Sequence, residues 1–332
     1  MDTTMKPRIS VLVCSYNRVR LLRECLASLE KQSADRNLFE VVIVDNNSND
    51  GTSDLAAEFV ARNSHFRALV ESNQGISFAR NRGMVEATGD WVAYIDDDAR
   101  AFPDYIEKML SFIDEQPDAG CFGGPCVPLY HESKPSWYLD EYQTGFPTVF
   151  PVGVADAPRS VVLPTTEFAI GFNIVFNRAA LLASGGFNNR IGMRGRKTAY
   201  GEETLVQIRI RRAGHKVYFV SDLLVYHYID SYKLHLGWIF KSNYANGRDS
   251  WETFEHTPTL KERLGNLNYA ARYPLRHLPD AIERMRRGEI RFQNLLLDCF
   301  CPTFWYAGRA LTYVKKEDVL RIQASSSGTT PG

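Results

Sequence analysis

Hydrophobic runs and amphipathic segments alternate along the first hundred residues. The run ISVLVCSY (9–16) is rich in β-branched residues, which predicts a strand covered on both faces. The next segment carries Leu21, Leu22, Leu26 and Leu29 at helical spacing. Repetition of this pattern predicts an α/β fold with a parallel sheet and right-handed crossovers. The predicted strands are 9–16, 39–45, 66–72 and 90–96, and the predicted helices are 18–32, 52–63 and 76–89.

Beyond residue 100 the pattern is mixed. A long segment rich in Pro, Trp and Tyr (131–165) predicts irregular structure. From residue 231 the pattern is helical, and SSSGTTPG (325–332) predicts a disordered tail. We therefore expect a helical C-terminal extension over 231–332. The intervening chain predicts helices at 103–116 and 204–214 and strands at 120–130, 169–177 and 216–228.

Polar clusters follow three of the predicted strands at the point where each strand ends. They are Ser15-Tyr16-Asn17-Arg18, Asp45-Asn46-Asn47-Ser48 and Asp96-Asp97-Asp98. Ligands of open α/β sheets bind beyond the carboxyl ends of the strands, where these clusters converge. The sequence therefore predicts a binding site at this edge of the sheet.

The three adjacent aspartates, 96–98, predict a site for a divalent cation. Neighbouring carboxylates repel one another, so their placement behind a buried strand does not serve stability. Hard cations such as Mg²⁺ and Mn²⁺ prefer oxygen ligands. The alternative is an Asx turn with helix capping ahead of Pro103, which accounts for one aspartate but not for three.

Composition limits the class of protein. The 332 residues contain 39 Lys plus Arg and 39 Asp plus Glu, and this balance argues against a nucleic-acid-binding protein. The N-terminal MDTTMKPRIS has no apolar segment, so we expect no signal peptide. No stretch has the apolar length of a membrane span. We expect a cytoplasmic protein whose six cysteines are reduced thiols rather than zinc ligands.

Seven short motifs occur in a characteristic order: SYNR, VDNNSNDGT, NQGISFARNRG, YIDDDA, GGFN, GEET and VYHY. In this order and spacing they resemble the inverting family 2 glycosyltransferases with a GT-A fold, over about residues 8–230. The resemblance implies a mixed, mainly parallel central sheet. It also implies a nucleotide-sugar-binding half at 1–100 and an acceptor and catalytic half at 101–230 of one domain.

The resemblance assigns the triple aspartate to the DXD motif, which binds Mn²⁺ or Mg²⁺ and the donor diphosphate. It implies that Asp98 faces the metal, while Asp96 and Asp97 hold ribose, sugar or metal-bound water, with Asp96 also a candidate ligand. His227 is implied to complete the metal shell or to meet the diphosphate. The alternative for His227 is a packed strand residue.

The same resemblance implies nucleotide contacts in three other places. Ser15, Tyr16 and Arg18 would close over the base and approach the phosphates. Asp45 would accept a hydrogen bond from the base, commonly from uracil N3–H, and its alternative is a turn residue. Arg80 would be a basic nucleotide contact, and its alternative is a helix-surface arginine paired with Glu86 or with solvent.

Inverting transfer requires a general base that takes the proton of the acceptor hydroxyl. The resembling family usually carries Glu-Asp at the position of Glu202-Glu203 in GEET, with the second carboxylate as the base. We therefore favour Glu203, which is one methylene longer than the usual aspartate, and leave Glu202 open. Both residues also suit the N-terminus of a helix, whose dipole favours negative charge.

We predict a metal-dependent glycosyltransferase that adds one sugar. A polymerising synthase of this family would carry a membrane span and a QxxRW motif after GEET, and we find neither in the sequence. The expected donor is a UDP-sugar, and the expected acceptor is a glycan or glycolipid. Alternatives are an inactive nucleotide-sugar-binding protein and a sugar-phosphate nucleotidyltransferase, although CSYNRVR lacks the glycines of a phosphate loop. Residues 261–316 carry eleven Lys or Arg against five Asp or Glu, which suits a peripheral contact with the inner face of a membrane. The alternative is an ordinary helical module with a solvated basic face.

Overall fold

The structure is a computed structural model that describes residues 6–138, 158–195 and 197–312. These residues form two compact units. The first comprises 6–129, 158–189 and 203–228, and the second comprises 130–138, 190–195, 197–202 and 229–312. The predicted tail at 325–332 and much of the predicted irregular segment lie outside the described residues.

The first hundred residues fold as the alternating pattern predicts. Each predicted strand and helix is present, with bounds that differ by a few residues at most. The strands are β1 (Ile9–Ser15), β2 (Phe39–Asp45), β3 (Phe66–Val70) and β4 (Trp91–Ile95), and the helices are α1 (Val19–Glu30), α2 (Thr52–Arg62) and α3 (Ile76–Glu86).

The middle of the chain adds short strands that the sequence pattern did not predict. The predicted strand 216–228 is two strands, because residues 221–224 form a turn. The elements are β5 (Ala99–Ala101), α4 (Tyr105–Glu115), β6 (Ala119–Gly123), β7 (Cys126–Tyr130), β8 (Ser160–Val162), β9 (Asn173–Asn177), α5 (Arg178–Ala183), α6 (Glu202–Arg212), β10 (Lys216–Val220) and β11 (Val225–Ile229).

The central sheet has the strand order β3-β2-β1-β4-β9-β6-β10-β8. Its first four strands are parallel, while β9 runs antiparallel to both β4 and β6. The predicted mixed, mainly parallel sheet is therefore confirmed. Every residue of β2 is buried, and so is every residue of β4, because helices cover both faces of the sheet.

A small second sheet has the order β5-β11-β7. In it β11 pairs antiparallel with β5, so that His227 lies opposite Ala99. This pairing brings a residue from late in the chain next to the end of β4. It is the feature of the fold on which the metal cluster described below depends.

The second unit is helical beyond a 3₁₀ turn at Ser231–Leu234. It contains α7 (Leu236–Thr253), α8 (Leu260–Arg286) and α9 (Phe292–Leu311). Gly247 and Gly308 allow the α7 and α9 backbones to approach closely, since a Cβ at Gly247 would lie 1.9 Å from the Trp305 carbonyl oxygen. Across the described residues we find no helix with the length and hydropathy to cross a bilayer. All six cysteines are free thiols.

Candidate active site

The three aspartates follow β4 in a turn that places them in different surroundings. The Ala99 amide donates a hydrogen bond of 2.9 Å to the Asp96 carbonyl oxygen. Asp97 and Asp98 are buried, whereas the side chain of Asp96 is 37% exposed. The turn therefore separates one accessible carboxylate from two buried ones.

His227 meets Asp98 because β11 pairs with the strand that begins just after the aspartates. The Tyr228 amide donates to the Asp98 carbonyl oxygen at 2.8 Å, and His227 Nε2 lies 3.2 Å from Asp98 Oδ1. The ring of Phe172 stacks on the imidazole, with a centroid distance of 5.0 Å. His227 is thus a packed strand residue whose Nε2 lies beside a carboxylate, and its role as a metal ligand stays a prediction.

Asp96, Asp98 and His227 can together hold a metal ion. One ligand atom from each lies within 4.8 Å of the others. His227 Nδ1 is buried and has no hydrogen-bond partner among the described residues. Two carboxylates and an imidazole form a donor set that divalent cations such as Mn²⁺ accept, and the imidazole suits Mg²⁺ less well. The residues present therefore fit a divalent cation.

Asp97 belongs to a different set of contacts. Its Oδ2 accepts a hydrogen bond of 2.6 Å from Ser15 Oγ, and its Oδ1 lies 3.4 Å from Arg18 Nη1. Burial raises the pKa of the Asp97 carboxyl to about 7; Arg18 opposes this shift, and the charge of Asp98 adds to it. The same Arg18 nitrogen donates to Asp98 Oδ2 at 2.6 Å. Arg18 therefore offsets the charge of two buried carboxylates.

The loops after β1 and β2 are joined by Asn17 and Asp50, neither of which had an individual role predicted from the sequence. Asn17 has a positive φ of 52°, and its side-chain oxygen accepts from the Asn49 amide at 2.8 Å. Asp50 accepts from the Val19 amide at 2.9 Å, at the start of α1. These bonds fix the backbone on both sides of Arg18. Asparagine is enriched at positive φ, so Asn17 carried a weak sequence signal.

Asp45 lies beside Ser15 in the β1–β2 register and is buried. Its Oδ1 accepts from the Ser48 amide at 2.9 Å, and its Oδ2 accepts from Ser53 Oγ. The turn role considered for Asp45 is therefore present. A carboxylate has about four acceptor positions, so these two bonds leave capacity for a ligand.

Arg80 is not a helix-surface arginine. It is 4% exposed, and its Nη2 lies 3.5 Å from Asp96 Oδ1. The neighbouring Arg82 is the residue that pairs with Glu86, at 3.2 Å. The Arg80 guanidinium also lies 5.7 Å from the ring centre of Tyr94. Arg80 therefore extends from α3 into the site.

Glu203 lies in the first turn of α6 and faces Arg80. Its Oε2 is 3.9 Å from Arg80 Nη1, is buried, and makes no hydrogen bond to any described residue. Helix α6 begins at Glu202, two residues before the predicted start, so both acidic residues are helical. Glu202 is also buried and is grouped with the second unit.

Two further residues shape the surroundings of Glu203. A Cβ on Gly171 would lie 3.0 Å from Arg80 Nη2 and 3.2 Å from Glu203 Oε1, so the absence of a side chain makes room for this pair. Gln207 is fully buried and makes two hydrogen bonds with the Ala169 backbone, at 2.8 and 2.9 Å. It thereby fixes the segment before Gly171 to α6.

Most of the predicted site residues are thus connected by direct contacts. One chain of contacts runs from Ser15 to His227, and a second joins Asp96 to Glu203 through Arg80. Asp45 contacts its own turn, and Tyr16 is 37% exposed. The first chain is Ser15, Asp97, Arg18, Asp98 and His227.

The sequence matches the family model described as Glycosyl transferase family 2 over residues 10–182, which are 173 of the 332 residues. The chain belongs to glycosyltransferase family 2. It is accordingly a glycosyltransferase, and the predicted family and enzyme class are confirmed.

Similar proteins include other glycosyltransferases. The glucosyl-dolichyl phosphate glucuronosyltransferase of Haloferax volcanii is 29% identical over 72% of this chain and 75% of its own length. The putative glycosyltransferase EpsH of Bacillus subtilis is 37% identical over 34% of this chain and 32% of its own length. The match to EpsH therefore spans only about a third of that protein.

Solved structures with a GT-A fold are also similar. A mannosyltransferase from Pyrobaculum calidifontis, in complex with GDP-Man and Mn²⁺, has a TM-score of 0.54 and 19% identity, and the match covers 99% of this chain and 78% of that one. Residues 1–349 of S. aureus TarS, in complex with UDP-GlcNAc, give 0.51 and 20% identity over 68% of this chain and 59% of that one. At these identities the likeness shows the fold alone.

Proposed function

We propose that this glycosyltransferase moves one sugar from a nucleotide-sugar to a hydroxyl of a glycan or lipid-linked glycan, with inversion at the anomeric carbon. The observation that carries the proposal is the position of Arg80. Its guanidinium lies 3.5 Å from Asp96, in the metal cluster, and 3.9 Å from Glu203, the candidate base. Such a reaction requires a donor site and a proton acceptor close together, and Arg80 lies between the candidates for both.

Asp98, Asp96 and His227 would hold Mn²⁺ or Mg²⁺, and the imidazole favours Mn²⁺. A bound cation supplies positive charge that stabilises the departing diphosphate. Arg18, which is one-third exposed, contributes a fixed positive charge beside Asp97 and Asp98. A UDP-sugar is the first candidate donor, with Asp45 as the acceptor of a hydrogen bond from the base.

Glu203 takes the proton of the acceptor hydroxyl. The acceptor oxygen forms a bond to the anomeric carbon while the bond from that carbon to the diphosphate oxygen breaks, so the configuration inverts. Glu203 Oε2 makes no hydrogen bond to any described residue and so has free capacity to accept the proton that a base removes. Glu202 remains the alternative base.

The two alternative functions have less support. A protein that only binds a nucleotide-sugar has no need of Glu203 Oε2, a buried carboxylate oxygen that makes no hydrogen bond to any described residue, since such an atom costs stability. A nucleotidyltransferase needs a glycine-rich phosphate loop after β1, where Ser15, Tyr16, Asn17 and Arg18 stand instead.

A thermal-stability panel tests the proposal. UDP-sugars and GDP-sugars are added with Mn²⁺, with Mg²⁺ or with EDTA, and ligands of the folded state raise the melting temperature. The best donor is then incubated with candidate acceptors, and NMR gives the configuration of the new linkage. Stabilisation by one class of UDP-sugar only with metal, followed by an inverted product, supports the proposal. Retention of configuration, or donor binding that is indifferent to EDTA, would refute it.

A further inference from the structure

A row of exposed leucines runs along the first half of α8. Leu260, Leu264, Leu267 and Leu275 are 68, 56, 47 and 73% exposed. They follow one another at intervals of four, three and eight residues, so they lie on one face of the helix. Apolar residues of a surface helix normally face the protein core, and a contiguous exposed row marks an interaction surface.

A row of cations adjoins these leucines. Lys261 and Arg276 each follow one of these leucines by one residue, Arg272 follows Ala271 on the same face, and all three cations are exposed. The acidic Glu262 is engaged locally, because its Oε2 accepts from the Thr259 amide at 2.7 Å in a capping box. The surface therefore combines leucines with adjacent positive charge.

Another side of α8 supplies its packing within the second unit. Ala270 and Ala281 are buried, and the rings of Tyr269 and Tyr306 are 4.2 Å apart between centroids. Thr303 Oγ1 of α9 donates to the Ala270 carbonyl oxygen at 3.3 Å. The helix thus already has its packing partner, and the leucine row is additional to it.

We propose that residues 260–276 form an interfacial helix that lies on an anionic lipid bilayer. The leucines would enter the boundary between headgroups and acyl chains, and the cations would meet the anionic headgroups. Charge repulsion disfavours a second copy of this chain as the partner of this surface. A two-fold contact through the same face would bring two rows of cations together, which is unfavourable. The proposal does not depend on the donor or acceptor of the sugar.

Co-sedimentation of the full-length protein with vesicles tests this surface. The vesicles contain phosphatidylcholine alone or with about one-third phosphatidylglycerol. We expect binding to the anionic vesicles, and a loss of about tenfold or more for Leu264→Glu/Leu267→Glu, because two charges would enter an apolar layer. Arg272→Gln/Arg276→Gln should remove most of the preference for anionic lipid.

Matched control variants place the same changes elsewhere. Val85→Glu/Leu182→Glu alters two exposed apolar residues of the first unit, 60 and 40% exposed, and should bind vesicles like the parent. Lys31→Gln/Arg36→Gln removes two exposed cations of the first unit and should keep the lipid preference. Unchanged melting temperatures show that each variant is folded.

Three results would overturn the proposal. They are no binding of the parent to anionic vesicles, equal loss in the leucine variant and its control, and sedimentation of the parent as a dimer that Leu264→Glu/Leu267→Glu converts to a monomer. The last result would assign the surface to a second copy. Nucleotide binding measured without vesicles should be the same in all these proteins, which separates this test from that of the sugar transfer.

Discussion

Arg80 Nη1 lies 3.9 Å from Glu203 Oε2, and the same guanidinium reaches Asp96 Oδ1 through Nη2 at 3.5 Å. The planar fork of an arginine suits two carboxylates on different sides, whereas the single ammonium of a lysine does not. Arg80 itself is buried, with 4% of its surface exposed. The residue therefore links the candidate base to the candidate metal cluster.

Arg80→Lys should keep the charge and lose one of the two contacts. We expect the free energy of unfolding to fall by about 1–3 kcal/mol. This loss is smaller than that for breaking a fully buried ion pair, because Asp96 is partly exposed. Sugar transfer should fall by about 10²-fold, because a misplaced base reacts slowly. Denaturant melts and initial rates measure the two effects.

Arg82→Lys is the matched control on the same helix. Arg82 is 46% exposed in its side chain and pairs with Glu86 across one turn, so its stability effect should be below about 0.5 kcal/mol. An Arg80→Lys enzyme with parental rate and stability would contradict the bridging role.

The sequence predicted the first half of the fold well, for a physical reason. In β1 and β2 the apolar runs are continuous and rich in β-branched residues, so the strands appear almost as expected. The strands β5 and β8 have three residues each, which is too short for any periodic signal. The predicted strand 216–228 divides at 221–224, because β10 and β11 belong to different sheets. Tertiary packing determines which sheet a strand joins, and a local sequence pattern does not contain that information.

The sequence predicted which residues form the site better than it predicted which of them contact one another. Asp98 and His227 are 129 positions apart, and only the β5–β11 ladder joins them. The burial of Arg80 was likewise invisible, because α3 carries Arg80, Asn81 and Arg82 in succession and has no clear apolar face. Gly171 gave no signal either, since its role is the space that it leaves for Arg80 and Glu203.

Asp98→Ala tests the metal cluster. With Asp98 removed, the cluster loses a ligand, and we expect UDP no longer to raise the melting temperature in a Mn²⁺-dependent manner. The fold should persist. Asp118→Ala is the control, since Asp118 is a 59% exposed aspartate paired with Lys216. UDP affinity that is equal with Mn²⁺ and with EDTA in the parent would refute the metal assignment.

Asp45 can be tested for two roles at once. Asp45→Ala removes both the turn bonds and the proposed contact with the base, so it should lower stability and weaken UDP binding by about 1–3 kcal/mol. Ser53→Ala removes only one turn bond. It should lower stability by about 1 kcal/mol and leave UDP affinity unchanged. If both variants lose the same UDP affinity in calorimetry, Asp45 acts through its turn and not on the base.

Glu203 provides the most direct test of the chemistry. Glu203→Gln preserves the volume and removes the basicity, so transfer should fall by a factor of about 10²–10⁴, the usual contribution of a positioned base. The acceptor proton is the only target of this base, so UDP affinity should stay within about a few-fold of the parent. Initial rates and UDP calorimetry are measured on the same preparations.

Glu202→Gln is the matched variant one residue earlier in the same helical turn, and it decides between the two carboxylates. If Glu202→Gln is inactive while Glu203→Gln transfers sugar, the base is Glu202 and the proposed reaction stands. If both variants transfer at the parental rate, the base lies outside the acidic pair. In that case the close approach of Arg80 to Glu203 would be structural, and Arg80→Lys should then lower stability without lowering the rate per folded molecule.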